Sequence, residues 1–245
     1  MNRILFEVAE INDGIAEIGD VRAEHILKIL HGEIGQEIKV GVVDGRIGSG
    51  RILEVSARDS KVKISLTVEK NPLPSWCDLI LAPPRPRVMK RLLPQLATLG
   101  VGRIFLVGAK KVEKDFWGAT LLKEANYRPL LIDGLMQGGV ATELPRLETR
   151  RNFRKFLKEE IETLFPATER YVAHPYGEEA ERNGGDGRGG GGRRVFAVGP
   201  EGGWTEEEVS LLEAHGFRRL SLGKRILRTD TALVALLSRF LPEES

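Results

Sequence analysis

The fold of this chain is decided by the stretch Gly199-Pro200-Glu201-Gly202-Gly203-Trp204-Thr205. It follows the apolar run 195–198, which predicts a strand, and it precedes a helix whose start is marked by Thr205 and Glu208, spaced as a capping box. The glycines in this stretch let the backbone approach a bound molecule closely. Strand-to-helix turns of this kind bind ligands in parallel α/β sheets, although a turn of the same composition also occurs without a ligand.

A second turn of similar character follows at Leu222-Gly223-Lys224-Arg225-Ile226-Leu227-Arg228-Thr229-Asp230-Thr231-Ala232. It comes after the short predicted strand 220–222 and leads into a helical run at 232–240. Its apolar residues are interleaved with glycine and cations, a composition suited to packing against an adenine while backbone amides bind the ring nitrogens. Neither turn has the spacing of a dinucleotide fingerprint or of a P-loop.

Outward from these turns, residues 75–245 alternate apolar strands with helical patterns, which is typical of an α/β fold with a parallel sheet. Strands are predicted at 79–82, 104–107, 171–173, 195–198 and 220–222. Helices are predicted from Pro86 to Gly100 with a kink at Pro94, in the segment that follows strand 104–107 and extends through 135, and around 153–164. Residues 183–193 are rich in glycine and predict a flexible surface loop.

Residues 1–72 have a different pattern, with short alternating strands at 37–40, 51–55 and 61–68 and a helical segment at 24–30. Turns are predicted at Asp44-Gly45 and at Gly48-Ser49-Gly50. A small β-barrel fits this pattern. Asn71-Pro72-Leu73-Pro74 then forces extended backbone, so we predict two domains, 1–72 and 75–245.

Composition excludes several classes of protein. The 245 residues are 41% hydrophobic and contain no apolar run long enough to span a membrane and no secretory leader pattern, so we expect a cytoplasmic protein with no membrane association. The one cysteine, Cys77, has no partner for an intrachain disulfide and is expected to be a small core residue. We expect no metal.

The two turns, in this order, resemble the RsmE family of ribosomal RNA methyltransferases in the SPOUT superfamily. The family patterns GPEGG(F/W)(S/T)xxE and LGxRILRxETA stand here as GPEGGWTEEE at 199–208 and LGKRILRTDTA at 222–232, with Asp230 where the family has Glu. The match is looser elsewhere. Residues 95–101 lack the Lys and Glu of the family's QKATELGV segment, and His31 and Val140 stand at family Arg positions.

The resemblance implies an α/β fold with a SPOUT-type parallel sheet, a C-terminal trefoil knot and an N-terminal PUA-like small β-barrel. It also implies that S-adenosylmethionine is held by three loops, at 173–175, 199–203 and 222–228. The cofactor-binding residues expected on this basis are His174, Gly199, Glu201, Gly203, Leu222, Gly223, Ile226 and Leu227.

The implied reaction is methylation of N3 of a uridine in small-subunit ribosomal RNA, so the expected partner is that RNA or the small ribosomal subunit. Glu201 and Asp230 are candidate bases for the N3 proton, and Arg228 is a candidate to stabilise the developing anion. Glu201 can equally be a first-turn acid favoured by the helix dipole, and Asp230 can be the N-cap of the last helix. His174 is better explained as a loop-shaping residue, because no acid near it in the sequence would orient it as a base.

Other functions stay open: methylation of a different RNA, methylation of a ribose hydroxyl, or a non-catalytic RNA-binding role in ribosome assembly. The retained LGKRILRTDTA segment favours the enzyme, whereas the lost central Lys, Glu and Arg positions favour the alternatives.

Basic residues are concentrated in two stretches, 85–114 and 218–228, although the net charge is only +2. Such density suits phosphate contacts, but a solvated basic face has the same composition. We predict an RNA-binding face that includes Arg3, Lys28, Arg87 and Lys111. The resemblance further implies a homodimer with a shared active site, and the apolar repeat of the last helix fits an interface, at Leu233, Leu236, Leu237 and Phe240.

Overall fold

The computed structural model describes residues 1–56, 58–166, 168–179 and 193–242. It divides into two compact units, Met1–Pro74 with Leu131–Leu144, and Ser75–Leu130 with Pro145–Ser245. Residues 131–144 thus belong to the first unit, whereas the sequence prediction placed them in the second domain. Long-range hydrogen bonds join this segment to the first unit. The Met136 carbonyl accepts from the backbone N–H of Asn2 at 2.8 Å, and the Thr142 hydroxyl donates to the Gly45 carbonyl at 2.6 Å.

The first unit is built on a six-stranded sheet with the order β1-β4-β5-β6-β3-β2. Its elements are β1 (Ile4–Phe6), β2 (Ile11–Asn12), β3 (Ile15–Ile18), α1 (Val21–Lys28), β4 (Glu37–Val42), β5 (Ile47–Ser56) and β6 (Lys61–Lys70). Strands β1 and β4 are parallel, and the other pairs are antiparallel. Alternate residues of these strands face a core that includes Phe6, Ile52 and Ile64.

The alternating pattern predicted β4, β5 and β6, but the predicted turn at 48–50 is wrong, since these residues lie inside β5. Positions 48 and 50 are glycines because neighbouring groups come too close for a side chain. A Cβ on Gly48 would lie 1.8 Å from the Thr67 carbonyl oxygen, and one on Gly50 would lie 2.7 Å from a methyl carbon of Val40. The turn at Asp44-Gly45 is confirmed, with Asp44 at φ 57°.

The second unit is an α/β arrangement whose elements alternate as the sequence predicts. They are β7 (Cys77–Leu81), α2 (Pro86–Thr98), β8 (Val101–Val107), α3 (Glu124–Gly138), β9 (Arg146–Arg150), α4 (Phe153–Glu159), α5 (Ile161–Leu164), β10 (Arg170–Glu179), β11 (Arg194–Val198), α6 (Glu206–Ala214), β12 (Phe217–Ser221) and α7 (Thr229–Arg239). The boundary between the units falls within α3, after Leu130. The helical run predicted at 153–164 is two helices, which meet at Glu160.

The sheet of the second unit has the order β12-β10-β11-β7-β8-β9, and every pair is parallel. Its inner strands are apolar because helices cover parallel sheets, and Leu79, Phe105 and Phe196 are fully buried. Strand β9 was not predicted from the sequence. It lies at the edge of the sheet, where charged residues are tolerated, and its sequence RLETR has no apolar run.

The predicted glycine-rich loop at 183–193 lies outside the described residues, apart from Arg193. Within the described ranges, no helix is both long enough and apolar enough to cross a membrane.

Candidate active site

A cavity of about 290 Å³ lies at the carboxyl ends of three neighbouring strands, β12, β10 and β11. Parallel strands that are neighbours in a sheet bring the loops after them to the same edge, where α/β proteins bind ligands. The three loops meet here although they are far apart in the sequence. All eight predicted cofactor-binding residues line the cavity: His174, Gly199, Glu201, Gly203, Leu222, Gly223, Ile226 and Leu227.

The turn after β11 is shaped by glycine at two positions. Gly203 has φ 66°, and its N–H donates to the Pro200 carbonyl at 2.8 Å. A Cβ on Gly199 would lie 2.9 Å from the backbone nitrogen of Trp204, so a side chain there would force the turn open. The predicted capping box of Thr205 and Glu208 is confirmed and fixes the start of α6 at Glu206.

The outer side of this turn is held by residues that follow β7 and β8. The Glu201 carboxylate accepts the backbone N–H of Arg85 at 3.0 Å, and the Lys111 ammonium donates to the Gly202 carbonyl at 2.7 Å. The Arg85 side chain pairs with Glu113 at 2.9 Å, which raises the pKa of the Arg85 guanidinium through a hydrogen bond. Glu201 precedes α6 by several residues, so its interpretation as a first-turn acid is wrong. Its position is set by a tertiary hydrogen bond.

The turn after β12 has a comparable construction. Gly223 has φ 97°, and its N–H donates to the Ser221 hydroxyl at 3.2 Å. Leu222 and Leu227 are half-buried, whereas Ile226 is 90% exposed although it lines the cavity.

Arg228 and Asp230 lie beside the cavity, and neither lines it. Arg228 occupies the N-cap position of α7 and its side chain is exposed, so the interpretation of Asp230 as the N-cap is wrong. Asp230 lies in the first turn of α7, where its carboxylate pairs with Arg91 at 3.0 Å. Both residues stay candidates for catalysis, but Glu201 alone of the three lines the cavity.

His174 is oriented by an acid that the sequence did not reveal. Its side chain is only 8% exposed, and Nε2 lies 3.4 Å from a carboxylate oxygen of Glu206 at the start of α6. Nδ1 lies 3.2 Å from the backbone N–H of Tyr176 and 3.0 Å from the Tyr176 carbonyl oxygen, so it accepts from the first or donates to the second according to the tautomer. Both ring nitrogens therefore contribute to the shape of the loop. No pattern in the sequence signalled Glu206, because the contact is tertiary.

The four predicted RNA-binding residues have different environments. Arg3, in the first unit, donates to the carbonyls of Gly139 and Val40, and burial lowers the pKa of its guanidinium. Lys28 pairs with Glu24 at 3.0 Å. In the second unit, Lys111 holds the glycine turn, whereas Arg87 is exposed and forms no ion pair within the described residues.

Several basic residues of the two stretches are committed to the fold of the second unit. Arg103 pairs at 2.7 Å with Asp78, which is fully buried, and Arg219 pairs with Glu213 at 2.7 Å. Arg218 donates to the Tyr171 hydroxyl at 2.7 Å. Those that are exposed and in no ion pair with another described residue are Arg87, Lys90, Lys110, Lys111, Lys114, Lys224, Arg225 and Arg228, of which Lys111 donates to the Gly202 carbonyl.

The apolar residues of α7 that suggested an interface are buried within the subunit. Leu233, Leu236 and Leu237 are fully buried, and Phe240 packs against the rings of Tyr171 and Phe196. The pattern therefore indicates a core helix and gives no support for a dimer.

Two further features concern the chemistry that the described residues offer. Cys77 is a core residue as expected, and burial raises the pKa of its thiol. Across the described ranges, no group of three or more His, Cys, Asp and Glu side chains is placed to hold a metal ion.

The second unit is an α/β fold with a parallel sheet and a cavity among the loops after β10, β11 and β12, and the solved structures that are similar to this chain are methyltransferases of the SPOUT type. A family model described as RNA methyltransferase domain matches residues 71–241. Ribosomal RNA small subunit methyltransferase E of Treponema pallidum is 31% identical, over 96% of this chain and 88% of its own length. Ribosomal RNA small subunit methyltransferase E 1 of Borreliella burgdorferi is 30% identical, over 96% of this chain and 95% of its own length.

A solved structure is similar over the same extent. It is a ribosomal RNA small subunit methyltransferase E from Neisseria gonorrhoeae bound to S-adenosyl methionine, with a TM-score of 0.71 and 25% identity, and the match covers 97% of this chain and 95% of the other. The chain belongs to the RsmE family of RNA methyltransferases, as its two glycine turns predicted.

Proposed function

We propose that this chain transfers a methyl group from S-adenosylmethionine to N3 of a uridine in small-subunit ribosomal RNA. The observation that carries the proposal is the convergence of eight residues, chosen from three separate sequence segments, on one cavity. The Neisseria gonorrhoeae protein of the same family binds S-adenosyl methionine, and this chain is similar to it along nearly its whole length.

The cavity suits an adenosine-sized ligand. Its volume of about 290 Å³ is close to the lower end of the range for small-molecule sites, roughly 300–1,000 Å³. Gly203 and Gly223 both have positive φ, and an added Cβ at either would meet no atom within 4 Å. The backbone at these two positions is therefore open for a ligand to approach, while Val198, Leu222 and Leu227 supply apolar surface for a ring.

S-adenosylmethionine, when bound, supplies an electrophilic methyl group on a sulfonium. The chain has to align the uridine in line with that methyl group, remove the N3 proton and stabilise the negative charge that results. Glu201 is the best-placed base, because it lines the cavity and, among the described residues, only its Oε1 is engaged, by the Arg85 N–H. Asp230 is a weaker candidate because Arg91 neutralises its charge. Arg228, exposed at the start of α7, would stabilise the uridine anion.

The test is methylation of small ribosomal subunits taken from a strain that lacks the gene, followed by mass-spectrometric mapping of the RNA. We expect one uridine to gain a methyl group on the base at N3. Methylation at a ribose hydroxyl or in another RNA would establish one of the alternative enzymes. Tight RNA binding with no methyl transfer would instead establish a non-catalytic role in assembly.

We also propose, on the family resemblance, a homodimer whose partner completes the site, a C-terminal trefoil knot and a PUA-like barrel in the first unit. Analytical ultracentrifugation at micromolar concentration is expected to show a dimer. A monomer under these conditions would refute the shared site while leaving the reaction untouched.

A further inference from the structure

A bulge in β10 holds one aromatic side chain at the mouth of the cavity. Strand β10 pairs with β12 as far as Ala173, and the pairing resumes only at Glu178, so residues 174–177 loop out of the ladder. The bulge is fixed by hydrogen bonds, since the Ser221 hydroxyl donates to the Pro175 carbonyl at 3.1 Å and the Tyr176 N–H donates to His174 at 3.2 Å. Bulges of this kind redirect a side chain, and here the residue at the bulge is Tyr176.

Tyr176 is 79% exposed and lines the cavity. Ile226, from the turn after β12, lines the same cavity and is 90% exposed. Large apolar side chains held in water beside a ligand site indicate a surface that is covered when a partner binds. Both side chains lie outside the core. The Tyr176 ring contacts the ring of His174, with centroids 5.9 Å apart, and most of its surface stays exposed.

The charges around this pair identify the occupant. Lys224, Arg225 and Arg228 are exposed and form no ion pair with any other described residue. They belong to the same turn as Ile226, and Arg225 also lines the cavity. An aromatic ring and an aliphatic side chain flanked by unpaired cations match a nucleotide, whose base is flat and apolar on its faces and whose phosphates are anionic.

We propose that Tyr176 forms a stacking platform for the nucleobase of RNA at the mouth of the cavity, outside the part that holds S-adenosylmethionine. Ile226, which the family resemblance places among the cofactor contacts, is then the apolar contact on the other side of the base. Lys224 and Arg225 then bind the flanking phosphates, while Arg228 keeps its role beside the reacting base. Stacking accepts any base, so this surface would supply affinity for the extruded nucleotide and offset the cost of unstacking it. The inference rests on the proposed function, because it assumes that RNA is the substrate of this cavity.

The experiment compares Tyr176→Ala with Tyr176→Phe in the full-length protein, using undermethylated small subunits and saturating S-adenosylmethionine. Loss of one base stack is expected to raise KM for RNA by about 5- to 150-fold in Tyr176→Ala with kcat changed little. Tyr176→Phe retains the ring and should keep the wild-type KM. Calorimetry should give the same S-adenosylmethionine affinity for both variants and the wild type.

A KM within twofold of wild type in Tyr176→Ala would overturn the proposal, and so would equal losses in the Ala and Phe variants. If Tyr176→Ala instead loses dimerisation while its RNA affinity is unchanged, the surface belongs to a second copy of the chain and the proposal also fails. RNA affinity is measured in parallel with the demethylated product S-adenosylhomocysteine, which needs no turnover. The wild type could fail to methylate RNA and still bind it more tightly than Tyr176→Ala does. That result would contradict the proposed reaction and still support the stacking platform.

Discussion

At the scale of single residues, the partner of a charged side chain decides what that side chain can do. The basic surroundings of Lys111 predict a contact with RNA, yet its ammonium donates to the carbonyl of Gly202 in the glycine turn after β11. Its stem also packs there, since a Cβ on Gly202 would lie 2.9 Å from Lys111 Cδ. Lys110, beside it, is exposed, and its side chain forms no hydrogen bond or ion pair with the residues that the structure describes. The two adjacent lysines are therefore a matched pair for experiment.

Lys111→Met should weaken S-adenosylmethionine binding by about 2- to 12-fold, because one hydrogen bond that positions the turn contributes about 0.5–1.5 kcal/mol. Lys110→Met should leave the cofactor affinity unchanged. Calorimetric titration of both variants checks this. If the two changes weaken RNA binding equally and spare the cofactor, Lys111 acts on RNA as its sequence context suggested.

At the scale of an element, helix α6 owes its position to one carboxylate. Glu208 is 8% exposed and accepts hydrogen bonds from the Thr205 N–H at 2.8 Å and from the Lys110 N–H at 2.7 Å. The first bond caps the helix, and the second ties the helix start to the segment after β8. Glu207, the preceding residue, is exposed and pairs with Arg154 on the surface.

Glu208→Ala should lower the free energy of unfolding by about 1–3 kcal/mol, because it leaves buried N–H groups without an acceptor. For a chain of this size each kcal/mol lowers Tm by roughly 2–4 °C. Glu207→Ala removes a surface pair contributing at most about 1 kcal/mol and serves as the control. Equal shifts in Tm, measured by calorimetry, would contradict a special role for Glu208.

In the first unit, an ion pair joins α1 to the segment before it and makes stability depend on acid pH. Arg22 donates to Glu10 at 2.9 Å, and this hydrogen bond is the main cause of a Glu10 pKa below its ordinary value of 4.5. Because the folded pKa is the lower one, the pair stabilises fully above the ordinary pKa, and the contribution is lost as pH falls through the folded value.

The urea midpoint of the wild type should therefore fall as the pH drops below the ordinary Glu10 pKa of 4.5 and through the lower folded value. Glu10→Gln should start from a lower midpoint at pH 7 and fall less steeply with acid. Glu33→Gln, an exposed change in the same unit, should keep the wild-type slope. If the urea midpoints of the wild type and of Glu10→Gln fall equally steeply with pH, Glu10 is not a source of the acid dependence of stability.

At the scale of the whole molecule, the number of cations available to RNA is smaller than the sequence suggests. Arg103, Arg91 and Arg85 each pair with an acid, whereas Arg87 is exposed and in no ion pair among the described residues. Counterion release depends on the cations that actually meet phosphates.

Arg87→Ala should weaken RNA binding and reduce the slope of log K against log salt by about one, as expected for one lost phosphate contact. Arg146→Ala, on the edge strand β9 and outside both basic stretches, is the matched control and should keep the slope. Filter binding across a salt series measures both. An unchanged slope in Arg87→Ala would show that this part of the surface is only solvated.

The sequence by itself determined the local features, because strands, caps and glycine turns depend on neighbours in the chain. The apolar runs, the Thr205 and Glu208 capping box and the residues of both glycine turns can all be read from the sequence alone. Only the tertiary structure decided which distant segments contact each other. Lys111 and Gly202 are 91 positions apart in the chain. No sequence pattern near His174 indicates Glu206, and none near α7 indicates the residues that bury that helix. The order of strands in the sheet determines which distant side chains meet, and the hydrophobic periodicity of a single sequence does not reveal that order.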